Sequence, residues 1–241
     1  STSLSKNSGK YKLILKRKNK KNLSMIVEAG TVIVSVPNYY TDDLVQDYVD
    51  SKEKWIQKQL DKEKLQPKFV EKNFLNGEKF RFLGKEVFLN IEIGDKNQVD
   101  FENDIISVRV KDNLAIKDTL KNWFKNQANE IFTKKTVEFC KILEIEYPKV
   151  NIKQYKTKWA QCKRKKLNDN FVYEVSYDWR IIQASLKVID YIIIHELCHI
   201  KVFDHSKDFW SLVNYYFKET SDYKNWLDEN AFSLYWEAPT S

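Results

Sequence analysis

"VIDYIIIHELCHIKVFDH", residues 188 to 205, holds all three histidines of the 241-residue chain. Its first thirteen residues are apolar nearly all round a helical projection, the pattern of a buried helix rather than a surface one. Two imidazoles and a carboxyl inside such a helix are costly unless something satisfies them. His195 and His199 are four apart, so they share a face about one turn from each other. Glu196 follows His195, roughly 100° round the helix. In a chain so poor in histidine, His-Glu-x-x-His arises by accident on the order of a few times in a thousand.

The spacing matches the arrangement that holds Zn²⁺ between two imidazoles and leaves the Glu beside a metal-bound water. There the metal lowers the water's pKa and the carboxylate takes its proton. Catalytic zinc has three protein ligands, so a third must be found. His205 lies six after His199, past the end of the helix and just before Ser206, a good N-cap for a following helix. A turn at Phe203-Asp204 would bring it back toward the pair. Glu219 or Glu229 would supply the alternative, a two-His one-carboxylate set. The interval from His199 to His205 also matches the metzincins, but those need Gly where Val202 stands and a Met beyond the third His. The only Met is Met25, so that reading fails.

Composition sets the frame. Hydrophobic residues make up 42%, with seven Trp, thirteen Tyr and fourteen Phe, enough for a sizeable core. Five Gly and four Pro leave no room for collagen-like tracts or long flexible linkers. Cys140, Cys162 and Cys198 are odd in number and widely spaced, against a disulfide framework. Nothing resembles a signal peptide or a membrane span. The chain therefore reads as soluble and cytoplasmic, with no membrane partner. Its net charge of +7 rests almost wholly on scattered Lys, the pattern of a solvated surface. Two denser runs, "KRKNKK" (Lys16–Lys21) and "KRKK" (Lys163–Lys166), keep nucleic acid as a minor partner reading, although no aromatic platform interleaves with either.

Along the chain, residues 11–36 alternate like strands, and Leu44 to Leu60 follow helical spacing behind Thr41 and Asp42 as caps. Short apolar runs with Asn-Gly, Gly-Lys and Gly-Asp turns occupy residues 76–110. A long helix fits Leu114–Leu143, and strands are expected at "VNIKQY" and "FVYEVSYDWRII". Helices follow from Ser185, over Ser206–Phe217, and around Tyr223–Phe232. A boundary falls near residue 110, giving a β-rich N-terminal region with one helix (1–110) and an α+β part (111–241).

"VIDYIIIHELCHIKVFDHSKDFW" (Val188–Trp210), "KWAQC" (Lys158–Cys162) and "DWRII" (Asp178–Ile182) together resemble the YgjP-like metallopeptidases, a zincin-type family more distantly related to the SprT-like and gluzincin groups. The family shows H-E-L-x-H, five residues, then H-S-x-x-F-W, together with W-G-S-C and N-W-R-L segments. The order "VIVSVP", "KWIQKQL", "NGEKFRFLGK" fits its N-terminal pattern. The resemblance implies an α+β fold, with a zincin-like catalytic domain whose active-site helix lies beside a small sheet. It also implies a zinc peptidase of peptide or protein substrates, with His195, His199 and His205 as metal ligands and Glu196 as general base. The chain departs from the family at Ala160 and Gln161, which replace Gly and Ser, and at Lys163–Lys166, which replace a more neutral turn.

In zincins a strand beside the active-site helix offers its edge to the extended substrate, and residues 158–182 are the expected source of that strand. Trp159 and Trp179 read as core. Cys198 reads as a small buried hydrophobe and Cys162 as a neighbour of the metal. Arg180 is either solvated or fixes a carboxylate near the site. Tyr191 and Tyr155 are candidates for stabilising the oxyanion. Two rival functions stand beside the peptidase: a DNA-associated, SprT-like protease using the Lys runs, and a non-catalytic zinc-containing binding module.

Overall fold

The computed structural model describes residues 11–65 and 69–238. Contacts divide the chain into two units, Ser1–Pro67 and Lys68–Ser241.

In the first unit β1 (Lys12–Lys18), β2 (Ser24–Glu28) and β3 (Thr31–Pro37) form a sheet in the order β1-β3-β2. The strand β3 pairs parallel with β1 and antiparallel with β2. Alternate β3 residues Val32, Val34 and Val36 are fully buried, as period-two alternation demands. They meet Val45, Val49, Ile56 and Leu60 from two helices. The helix read over residues 41–60 is broken into α1 (Asp42–Ser51) and α2 (Glu53–Leu65). Ser51 Oγ donates to the Tyr48 carbonyl at 2.6 Å, and Lys52 N–H turns back to Val49 O, which closes the first helix. Thr41 caps α1 by accepting from Leu44 N–H, with Asp42 and Asp43 in its first turn.

The second unit begins with β4 (Lys79–Phe82), β5 (Lys85–Ile93), β6 (Gln98–Glu102) and β7 (Ile105–Val110), ordered β4-β5-β7-β6. After a short 3-10 turn comes α3 (Ile116–Leu143), about 42 Å long at 1.5 Å per residue. It buries Leu120, Phe124, Ala128, Phe132, Thr136 and Cys140, a stripe of i, i+4 steps. A second sheet, ordered β8-β10-β9, is built from β8 (Lys149–Lys153), β9 (Ala160–Leu167) and β10 (Asn170–Asp178). Then follow α4 (Leu186–Lys201), α5 (Lys207–Tyr216) and α6 (Thr220–Asn230). The whole is mixed α+β.

Three sequence expectations change. The four-stranded sheet shares one core with α3 and α4, through Phe80, Val87, Leu89, Ile106, Phe124, Ile189 and Ile193 among others. Residues 76–110 therefore belong with the C-terminal part, and the units part at residue 67 rather than near 110. The run Lys163–Lys166 is not a turn but lies within β9, paired antiparallel with β10, its side chains exposed. The "DWRII" segment leaves the sheet: Asp178 accepts from Arg180 N–H at 2.9 Å and starts a 3-10 turn over Trp179–Gln183.

The helix α4 is seated from several sides. Ser185 caps it by accepting from Val188 N–H, and Lys135 of α3 pairs with Asp190 at 2.7 Å. The tip of the β4–β5 hairpin, Leu83 and Gly84, donates its N–H groups to the carbonyls of Ile182 and Gln183, just ahead of the helix. Gly84 has φ +81, and a Cβ there would stand 2.9 Å from Ser185 Cα. At Gly30, in the β2–β3 turn, φ is also positive (+72) but nothing lies within 4 Å. Gly84→Ala should therefore cost about 2–4 kcal/mol, from the left-handed backbone plus overpacking, against about 1–2 kcal/mol for Gly30→Ala. Urea unfolding followed by Trp fluorescence gives both numbers. Equal losses would mean that the hairpin tip does not hold the start of α4.

Candidate metal centre

Ten of the sixteen α4 residues are buried, including Glu196 and His199, each 8% exposed. His195 is half-buried and His205 exposed. The helix ends at Val202, whose N–H bonds Cys198 O and whose carbonyl faces His199 Nδ1 at 3.2 Å. A carbonyl only accepts, so Nδ1 carries the hydrogen and Nε2 keeps its lone pair. Beyond Val202 the chain turns: Asp204 accepts from Ser206 N–H, and Ser206 caps α5 by accepting from Phe209 N–H. That turn brings His205 back onto the other two. Ring centroids lie 5.2 Å apart for His195–His199, 4.7 Å for His199–His205 and 5.6 Å for His195–His205. One ring nitrogen from each histidine lies within 4.8 Å of the others, a grouping that could hold a metal ion. Glu219 and Glu229 stand apart from it, exposed on the surface, with Glu219 accepting from the Tyr223 hydroxyl.

Aromatic packing fixes these rings, and sequence reasoning missed most of it. Phe209 stacks on His199 at 4.1 Å and 8°, and Trp210 lies 5.5 Å from His195. Phe203, in the turn itself, lies 6.2 Å from His199. Arg164 of β9 has its guanidinium 4.3 Å from the Phe203 ring centre and 4.5 Å from that of Phe171. The only advance signal was H-S-x-x-F-W, which places Phe209 and Trp210 one turn into α5.

Burial dominates the electrostatics. It drives the His195 pKa down to about 3, helped by the charges of His199, His205 and Lys224. His199 is also lowered, mainly by burial. Both imidazoles are therefore neutral at pH 7, the form that donates a lone pair to a metal. His195 Nδ1 is buried without a hydrogen-bond partner among the described residues, a cost that metal ligation and its supporting contacts would relieve. A set of three imidazoles suits zinc well. Burial raises Glu196 to about 7, with Lys158 pulling the other way. A dication beside the carboxyl would oppose that rise.

The remaining candidates fall into place around this core. Trp179 is buried, and Trp159 packs partly buried against the same core. Cys198 is fully buried, and Cys162 is half-buried and close enough to feel the charge of Glu196. Arg180 is buried and fixes Asp178. The Tyr191 ring lies 5.9 Å from His195, and burial pushes its hydroxyl up to about 12, so it stays a donor at neutral pH. The Tyr155 hydroxyl is buried with no partner among the described residues. The strand β9 packs along α4 and, among the described residues, pairs only with β10, leaving its other edge open.

No described helix is long and apolar enough to cross a membrane. No curated protein and no solved structure shows significant similarity to the chain. The family model of the YgjP-like metallopeptidase domain matches residues 21–230, which takes in both sheets of the second unit, the α4 histidines and His205. On a match that spans most of its length, the chain belongs to the YgjP-like metallopeptidase family.

Proposed function

We propose that the chain is a zinc-dependent peptidase of zincin-like architecture, with its chemistry in the Lys68–Ser241 unit. In this reading His195, His199 and His205 hold Zn²⁺ and Glu196 is the general base. The observation that carries it is the convergence of the His195, His199 and His205 imidazoles, with the buried carboxyl of Glu196 on the helix that bears the first two. Zinc in such a site would polarise the scissile carbonyl and make a water acidic enough to attack. Glu196 takes the proton of that water on its carboxylate and later gives it to the leaving amine. Burial raises this carboxyl's proton affinity and so favours its taking the proton, while the dication would hold that rise in check.

The substrate lies extended along the open edge of β9, adding a strand to the sheet through backbone hydrogen bonds. Such pairing orients a peptide without regard to its side chains. A closed structural zinc site has four protein ligands. Here three histidines group together and no fourth His, Cys or carboxylate joins them among the described residues, which favours a catalytic over a purely structural centre. Neither Lys run carries a feature that favours a DNA-bound role.

Three outcomes follow. Chelation should abolish hydrolysis of an unstructured protein such as casein, and stoichiometric Zn²⁺ should restore it. His205→Ala should weaken zinc binding at least about tenfold, the size expected for losing a ligand. Unchanged affinity in a competition titration would remove His205 from the set. Glu196→Gln keeps the shape of the side chain but not its basicity, so zinc content should match the parent while kcat falls by about a hundredfold or more. Loss of zinc from that variant would make Glu196 a ligand, and full activity would remove it from the mechanism.

A further inference from the structure

Away from the histidines, a cavity of about 120 Å³ opens among Lys121, Tyr155, Lys156, Arg180 and Tyr235. Arg180 is the feature that gives it chemistry. Its side chain is 7% exposed, and its guanidinium lies against two aromatic rings, Trp159 at 5.3 Å and Tyr235 at 4.6 Å, whose own centroids are 5.6 Å apart. A guanidinium has five N–H donors. Nε donates to Asp178 Oδ1 at 2.9 Å, and Nη2 donates to Asp178 Oδ2 at 2.7 Å and to the Tyr155 carbonyl at 2.6 Å. Nη1 has no partner among the described residues, yet it is not one of the unpaired atoms sealed away from solvent. With Nε and Nη2 occupied, Arg180 keeps its Nη1 end for a further partner, and it lines the cavity.

The wall is also positively biased. Asp178 offsets Arg180, and Lys117 pairs with Glu237, the acidic member of the lining. Lys121 and Lys156 have no carboxylate within ion-pair distance among the described residues, and Lys121 is drawn over the Trp179 ring at 6.0 Å. A small anion would find two hydrogens of Nη1 in the guanidinium plane and two ammonium groups beside them. The volume is about four waters' share of liquid, room for a carboxylate and a few carbons. The aromatic walls favour a flat group.

The cavity also has a route to the metal centre. Tyr155 and Lys156 belong to the segment that runs into β9 at Ala160. Lys158, in the same segment, holds its ammonium 5.0 Å over the Tyr155 ring, and its charge reaches Glu196. The segment that carries two of the cavity's residues thus leads directly into the strand whose edge the proposed peptide would follow.

We propose that this cavity is a carboxylate subsite, in which Arg180 Nη1, Lys121 and Lys156 hold an acidic side chain or the C-terminal carboxylate of the peptide being cleaved. The proposal rests on the peptidase reading for its substrate but not for its ligand chemistry, and the two are tested separately. In the ¹⁵N-labelled full chain, the indole signals of Trp179 and Trp236, which line the cavity, are followed during titration with glutarate and then with glutaramide. Saturable shifts are expected with glutarate alone. They should weaken about tenfold or more in Lys121→Gln with Lys156→Gln, the scale of one charge-assisted hydrogen bond. Both lysines lie toward the surface, so the double variant spares the buried Asp178–Arg180 pair. No saturable shift with glutarate overturns the site whether or not the chain is a peptidase.

The second arm compares hydrolysis of matched peptides that carry Glu or Gln at one position, or a free or amidated C-terminus. A preference for the acid that the double variant loses supports the substrate subsite. Binding of glutarate without any such preference overturns it and makes the ligand a free small carboxylate. Binding of glutarate with no peptide cleaved supports the carboxylate chemistry and overturns the peptidase reading alone.

Discussion

Everything in the second unit turns on a polar load inside an apolar helix. The helix α4 needs its isoleucines and valines to be buried, and the same burial strips His195, Glu196 and His199 of water. Desolvation penalises each charged form, so the imidazoles become weak bases and the carboxyl becomes a weak acid. Those shifts need no special neighbour, since burial alone is the largest cause of each. The helix that holds the core together therefore also keeps two imidazoles neutral and raises the proton affinity of a carboxyl.

Such a helix must be held from several directions, because small displacements would separate groups that have to meet within a few ångströms. The start is fixed by Ser185 and by the β4–β5 tip, where only a glycine fits against the Ser185 backbone. The middle is tied to α3 through Lys135 and Asp190, and α5 supplies Phe209 as a flat support for His199. This is the physical reason that residues 76–110 cannot be a separate domain. Without their sheet, Phe80, Val87 and Ile106 would leave the core that α3 and α4 share exposed.

The histidine cluster was legible in the sequence because helical geometry fixes the four-residue spacing and the apolar surroundings announce burial. The return of His205 followed from Ser206, whose capping role makes the chain reverse just before it. The strand β9 was expected within residues 158–182 only through the family resemblance and was not legible in its own pattern. Its "CKRKK" stretch has neither the β-branched residues nor the apolar alternation that mark strands, and it becomes one because β10 supplies a full ladder of partners from Ala160 to Leu167. The break at Lys52 and the 3-10 turn at Asp178 were hidden for a related reason: single side-chain hydrogen bonds from Ser51 and Asp178 end elements whose hydrophobic pattern continues. The domain boundary was misplaced because the change from strand to helix near residue 110 marks a change of element within one core.

The cations show the same division between surface and site. Most of the lysine excess is solvated and sets only the net charge. A few charged groups instead lie against aromatic rings: Arg164 against Phe171 and Phe203, Lys158 over Tyr155, Arg180 against Trp159 and Tyr235. All three belong to β9 or to the segments that flank its sheet, and Arg164 reaches the turn that delivers His205. Guanidinium groups hold such positions better than ammonium groups, because they are flat and weakly hydrated. The two arginines accordingly each meet two rings, and Lys158 meets one. The edge strand beside α4 is thus fastened to the turn that carries His205 through Arg164 and bordered at its start by a buried guanidinium, so strand, turn and helix share one frame. A site that must place three imidazoles and a carboxyl around one small volume needs that frame more than it needs any further charge.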